Sequence, residues 1–285
     1  MSEALAHGDL ELFVEVQRLL EARDLRTTRW SIEVRDVATG TSLIEVNCHA
    51  LLRTASVAKV YLLIEIAARL VSGDMDPLLP VDRRSTEPVA DSGLWQHFAS
   101  DVLPVVDAAR LVGSVSDNLA TNVLIDLVGL DVVQARSAKH AADGSILHDL
   151  VRDVRRPEDP ATLSEGSAAD WASLFVGLKR GTVESPRVSD LVLAWLASGA
   201  DLSMVASALG LDPLAHAGGP DRRIAVWNKT GTDIGVRADV GAIDQESRTV
   251  AYAVICNWSP RAGPHSHDAV LSAMRTIGEA LRRST

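Results

Sequence analysis

Apolar residues fall at helical spacing near the start of the chain, where Leu10, Phe13, Val14, Val16, Leu19 and Leu20 predict an amphipathic helix over roughly residues 8–23. The period then shortens to two. Residues 30–37 and 42–47 read as strands, and Ala38-Thr39-Gly40-Thr41 between them supplies the turn of a hairpin. From Leu51 the helical period returns, carried by residues 107–113, 119–128, 131–140, 168–179, 186–197 and 202–209, so the middle of the chain is expected to hold only helix and loop. Pro213, Gly218, Gly219 and Pro220 mark a long turn, after which residues 224–232, 236–243 and 249–258 read as three strands and a final helix runs from about 266 to 282. Strands at both ends with helices between them predict an α+β chain: an antiparallel sheet assembled from the two terminal segments, with a helical region inserted.

One segment is apolar nearly all round. Val57, Val60, Leu63, Ile64, Ile66, Ala67 and Leu70 predict a helix buried at the centre of the protein. Thr54 is placed to cap it, which sets Ser56 in the first turn, where backbone N–H groups lack intrahelical partners and can face an oxyanion. Lys59 follows three residues later on the same face, within reach of Ser56 Oγ; desolvated and near other cations, it can lose its proton near neutral pH and act as a base. Ser116-Asp117-Asn118 opens the helix striped by Leu119, Val123, Leu124 and Leu127, and each of the three is also a preferred capping residue. Lys229-Thr230-Gly231 closes the apolar stretch Ile224-Ala225-Val226-Trp227 and so sits on a strand edge, where Gly231 lets a ligand come close to the backbone.

Composition narrows the function classes. A chain of 285 residues can bury a substantial core without metal or disulfide staples, and a formal charge of −10 argues against a phosphate-backbone-binding surface. No nucleic-acid partner is therefore expected, and the sequence leaves the oligomeric state open. Cys48 and Cys256 allow one bridge, but free buried thiols are the expectation, and neither has metal-ligand spacing to a histidine. No metal, nucleotide or flavin motif is present, so no cofactor is implied. No apolar run reaches the ~20 residues of a membrane span, and Glu3, Asp9, Glu11 and Glu15 interrupt the first twenty positions where a signal peptide would be apolar. A soluble cytoplasmic protein is expected from the chain as it stands; a leader trimmed from a longer chain would instead place it in the periplasm or outside the cell.

Ser56-Val57-Ala58-Lys59, Ser116-Asp117-Asn118 and Lys229-Thr230-Gly231, in that order and each in its local context, resemble the three-part signature of the class A β-lactamases and penicillin-binding proteins. The resemblance covers nearly the whole chain. It implies the penicillin-recognising fold as one domain, with an α/β subdomain at about 1–53 and 213–285, a helical subdomain at about 54–212, and the active site between them. It also implies roles. Ser56 is the nucleophile, Lys59 its base, Ser116 the relay that carries a proton to the leaving nitrogen, and Asn118 a contact for the acyl side chain. Asp117 would brace its loop. Lys229 supplies positive potential, Thr230 hydrogen-bonds a substrate carboxylate, and the Thr232 N–H completes the oxyanion hole with that of Ser56. Arg237 on the next strand is a candidate second carboxylate anchor, or else a surface ion pair with Asp239. Trp95 belongs either at the cleft mouth or in ordinary packing. The implied substrate is a small molecule or short peptide bearing a carboxylate.

One family element is missing. The E-x-x-L-N motif whose glutamate activates the deacylating water has no counterpart, and Val151 falls at the glutamate position. Asp149, Asp153, Glu158 and Glu165 are the nearby carboxylates. The expectation is β-lactamase-type chemistry in which acylation outruns deacylation. The alternatives are a D,D-peptidase, esterase or amidase on the same fold, or a non-hydrolytic penicillin-binding sensor or binding module.

Overall fold

The computed structural model describes residues 7–216, 223–245, 248–259, 261 and 264–284. Helix α1 (His7–Leu20) leads into strands β1 (Thr28–Asp36) and β2 (Ser42–Val46), then β3 (Leu52–Arg53) and a 3-10 turn, Ala55–Ala58, that opens α2 (Lys59–Ser72). Strands β4 (Pro80–Asp82) and β5 (Val102–Pro104) precede α3 (Val105–Val115), α4 (Asn118–Val128) and α5 (Leu130–His140). The short strands β6 (Ile146–Leu147) and β7 (Ser164–Gly166) are followed by α6 (Ala168–Lys179), α7 (Pro186–Leu196) and the 3-10 turn Val205–Leu209. Strands β8 (Ile224–Asp233), β9 (Val236–Gln245) and β10 (Arg248–Trp258) and helix α8 (Pro264–Ser284) complete the chain. Gly218, Gly219 and Pro220, expected to form a turn, lie outside the described residues.

The main sheet runs β2-β1-β10-β9-β8 and is antiparallel, so the first and last strands of the chain meet at its centre with Thr28 opposite Trp258. Side chains alternate across it with period two. Val250, Tyr252, Val254 and Cys256 of β10 join a core beneath α1 and α8, whereas Ala251, Ala253 and Ile255 face the core that holds α2 and α6. The alanines on that second face leave room for α6 to pack closely on β1, β9 and β10. Cys256 and Cys48 belong to these two different cores and are both free, buried thiols.

The middle of the chain is not only helix and loop. Strands β3, β7 and β6 form a small sheet, and β4 pairs with β5, which tie the ends of long connections together. Runs of two or three residues are too short to show a period, which is why the pattern missed them. The turn Val205–Leu209 packs against α8, with Leu202, Met204 and Val205 in the core under that helix rather than among the other helices. Helix α2 is the axis of the helical body: every residue from Lys59 to Ala67 is buried. Among the described residues no helix is long and apolar enough to cross a membrane.

Candidate active site

A cleft of about 980 Å³ opens where the edge strand β8 meets the turn before α2 and the junction of α3 with α4. Ser56, Ser116, Asn118, Lys229, Thr230 and Thr232 all line it. Three segments separated by dozens of residues are thus brought to one surface. Three non-glycine residues lining the cleft have left-handed backbones, Ala55 at φ 49°, Asp91 at φ 66° and Ser116 at φ 56°, a conformation held only when the surroundings over-determine it.

Those surroundings can be named. The Ala55 carbonyl accepts from Ser164 Oγ at 2.6 Å, Thr54 N–H donates to the Ser164 carbonyl at 3.1 Å, and the Thr54 and Ser164 hydroxyls pair at 2.7 Å. Thr54 does not cap the turn; its hydroxyl is committed to β7 instead, and the turn it precedes is 3-10 rather than α-helical. Asn257 on β10 accepts from the Arg53 N–H and donates to the Arg53 carbonyl, both at 2.9 Å, fixing the preceding residue to the main sheet. Ser56 Oγ, half-buried at the cleft wall, has no hydrogen-bond partner among the described residues.

Lys59 is fully buried behind Ser56. Its Nζ donates to the Ser116 carbonyl at 2.7 Å, to Asn118 Oδ1 at 2.8 Å and to Ser116 Oγ at 3.3 Å; no bond to Ser56 Oγ is made. Lys229 Nζ donates to the same Ser116 Oγ at 2.9 Å and to the Thr230 carbonyl at 2.8 Å. Ser116 therefore sits between two buried amines. Burial drives the Lys59 pKa well below its ordinary value, with the Lys229 charge adding to the effect. Burial likewise lowers Lys229, to about 8, against the pull of Asp201 and Asp239. Two ammonium groups around one hydroxyl repel each other, and each therefore favours loss of the other's proton.

Asp117 braces the neighbouring loop. Its Oδ2 accepts from the N–H groups of Leu94 and Trp95 at 2.7 and 2.8 Å, and its Oδ1 caps α4 through Ala120 N–H at 2.9 Å. Asn118 Nδ2 donates to the Ala90 carbonyl at 3.1 Å, and Ala90 N–H donates to the Asp153 carboxylate at 3.1 Å, so the loop before Trp95 and the segment after Asp149 close on each other beside Asn118. Asn122, one turn further along α4, holds Val151 by both backbone groups: Nδ2 to its carbonyl at 2.9 Å and Oδ1 from its N–H at 2.8 Å. Val151 lines the cleft. Of the four carboxylates near it in sequence, only Asp153 reaches the cleft lining; Asp149 is buried and paired with Arg152 and Arg155, and Glu165 pairs with His148.

Three expected positions fall elsewhere. Trp95 is wholly buried and packed in the core, its Nε1 donating to the Ser100 carbonyl at 3.1 Å, so it does not stand at the cleft mouth. Arg237 is not among the lining residues: its guanidinium donates to the Asp233 and Val236 carbonyls at 3.1 and 2.7 Å and lies 5.9 Å from the Trp258 ring centre. Neither does it pair with Asp239, which is fully buried and bonded to Asn228 and Tyr252. Gly231 is needed for close approach, but what approaches is the protein's own Thr54 carbonyl, 2.0 Å from where a Cβ would stand. Sequence reasoning missed Ser164, Asn122 and Asn257, and it missed Asp91, Asp201 and Asp233, which line the cleft; polar residues in loops carry no periodic signal.

Behind β8, Asp239 accepts from Asn228 Nδ2 and the Tyr252 hydroxyl, each at 3.0 Å, and from Ala206 N–H at 3.3 Å. Burial lifts its pKa to about 7, more than these donors offset. Between its ordinary pKa of 3.8 and about 7 the folded protein holds a proton that the unfolded chain has lost, so this group destabilises the fold as pH rises through that window. Urea midpoints of Asp239→Asn and the parent at pH 4.5 and 7.5 check it: whatever the substitution costs at one pH, the parent loses ground relative to it on going to 7.5, on the order of a few kcal/mol.

Comparisons with known proteins agree with this fold. The solved structure of PBP-A superposes with a TM-score of 0.80 at 18% identity, over 96% of this chain and 95% of that one. A β-lactamase from Sphaerobacter thermophilus gives 0.80 at 25% identity, over 95% and 97%. An acyl-enzyme complex of a PBP-A variant with penicillin G gives 0.76 at 19% identity, over 96% and 97%. The sequence matches no curated protein. The profile of the β-lactamase enzyme family, however, matches residues 11–284, which takes in all three motifs and every strand of the main sheet, and the chain belongs to that family.

Proposed function

We propose that the protein is a serine hydrolase that acylates Ser56 with a β-lactam or related amide and hydrolyses the acyl-enzyme slowly. Family membership supports the hydrolase chemistry. In this reading Lys59, its pKa lowered by burial, reacts as the free amine and turns from Ser116 toward Ser56 to accept the proton as Oγ adds to the carbonyl. The N–H groups of Ser56 and Thr232 receive the oxyanion. Ser116, between the two lysines, hands a proton to the leaving nitrogen as the C–N bond breaks and regains one from Lys59, which thereby passes on the proton it took from Ser56. Asn118 orients the acyl side chain.

Slow deacylation rests on one observation: Val151, which has no ionisable group, lines the cleft with its backbone clamped by Asn122, at the position where the family motif has its water-activating glutamate. A mass-resolved time course with a chromogenic cephalosporin tests the whole reading. The expected result is a stoichiometric burst of colour and a lasting adduct on Ser56. Steady turnover overturns the slow step and directs attention to Asp153. No adduct, with turnover of short esters or D-alanyl peptides, selects a peptidase or esterase instead. Val151→Glu is expected to shorten the adduct lifetime by about tenfold or more, since a positioned general base contributes ~10²–10⁴.

A further inference from the structure

One end of the cleft is formed by Lys229, Thr230 and Thr232 of β8, by Asp233 at the β8–β9 turn, and by Gly199, Ala200 and Asp201 after α7. In the reading above this end receives the carboxylate on the leaving-group side of a β-lactam. Its charges do not suit that role. Among the described residues Lys229 is the only cation lining this end, and its Nζ is already committed to Ser116 Oγ and the Thr230 carbonyl. Arg237 is turned to backbone carbonyls and the Trp258 ring. Arg152 and Arg155 line the cleft from the 149–163 segment, where both pair with Asp149.

Against that single lysine stand Asp201 and Asp233. The Asp201 carboxylate is held in place, Oδ1 accepting from Ser203 N–H at 3.1 Å and Ser203 Oγ at 2.6 Å, yet the residue is open to solvent in the cleft. The cleft walls partly desolvate it, which opposes its charge, but Ser203, the Thr230 side chain and Lys229 together keep its pKa below the ordinary carboxylate value, so it is an anion at neutral pH. It shares the cleft wall with Thr230 and Lys229, the groups an incoming carboxylate would need.

We propose that Asp201 sets the charge selectivity of the site, so that the end of the cleft beside Thr230 takes an uncharged or amine-bearing leaving group in preference to one that carries a carboxylate. An anionic substrate placed there meets a fixed like charge at the same end of the cleft, whereas an amine gains a partner. The proposal rests on Ser56 as the nucleophile.

The test compares acylation rate constants for one chromogenic cephalosporin offered as its free acid and as its methyl ester, in the parent protein, in Asp201→Asn and in Ser56→Ala. The ester should acylate the parent faster than the acid. Asp201→Asn should shift the ester-to-acid ratio toward the acid by about tenfold, the effect of one charge a few ångströms away in a half-solvated site. The gain in the acid rate should shrink with added salt while the ester rate holds steady. A merely structural role for Asp201 would slow both probes alike and leave the ratio unmoved, and that result overturns the proposal, as does a parent that prefers the acid. Equal labelling of Ser56→Ala and parent, or no labelling of the parent by either probe, overturns the nucleophile assignment itself and the selectivity with it.

Discussion

Ser56→Ala is expected to carry no covalent adduct after exposure to a β-lactam that labels the parent to one equivalent, and to keep the parent's stability within about 0.5 kcal/mol. The two halves of this expectation come from the same geometry. Ser56 Oγ contributes no hydrogen bond to the described fold, and the turn that carries it is held by Ser164 and Asn257 through the backbone of residues 53–55. Removing the hydroxyl therefore removes the reacting atom and little else. Intact-protein mass after incubation reads the first half and a denaturant midpoint the second. Labelling that persists in the alanine variant refutes the nucleophile; an unfolded variant shows that Ser56 has a structural task the geometry does not reveal.

Gly231→Ala is expected to lose about 2–4 kcal/mol of stability, as overpacked core positions do, and to slow acylation of the remaining folded protein by roughly 10² or more through displacement of Ser56. A Cβ at this position would stand 2.0 Å from the Thr54 carbonyl oxygen and 3.1 Å from Val57 Cγ2. Neither neighbour is a free end that can swing aside. The Thr54 carbonyl lies in the turn clamped to β7, and Gly231 is in register with Ala238 of β9. Relief must come from parting β8 from the turn, which moves Lys229 and Thr232 away from Ser56 together. Denaturant midpoints and the acylation rate of the folded fraction measure the two effects. A variant that acylates like the parent would mean that β8 and the turn can separate without cost to the site.

The sequence by itself determined the α+β pattern, the long strands and helices, and the three motifs, because each is written locally. Period two in β10 and the all-round apolar face of α2 follow from side-chain geometry along a single element. The motifs are short enough that their residues are neighbours in the chain as well as in the site, and they could be read, with the family they belong to, before any contact was known. The resemblance also drew attention to Val151 through a motif that was absent.

Only the tertiary structure decided what surrounds those residues. Trp95 and Arg237 are chemically suited to a cleft mouth and a carboxylate anchor, but where a side chain ends up depends on the elements packed against it: Trp95 lies in the core, and Arg237 turns to Trp258. Thr54 has a capping residue's chemistry, yet Ser164, 110 residues away, takes its hydroxyl. Val151 becomes a wall of the cleft because Asn122 grips its backbone from α4. Asp201 carried no motif and no period, and it matters because the chain after α7 runs past Lys229 and Thr230. Local chemistry fixes which groups are available, whereas the partner of each group is set by contacts between segments far apart in the chain, and one-dimensional spacing does not encode these.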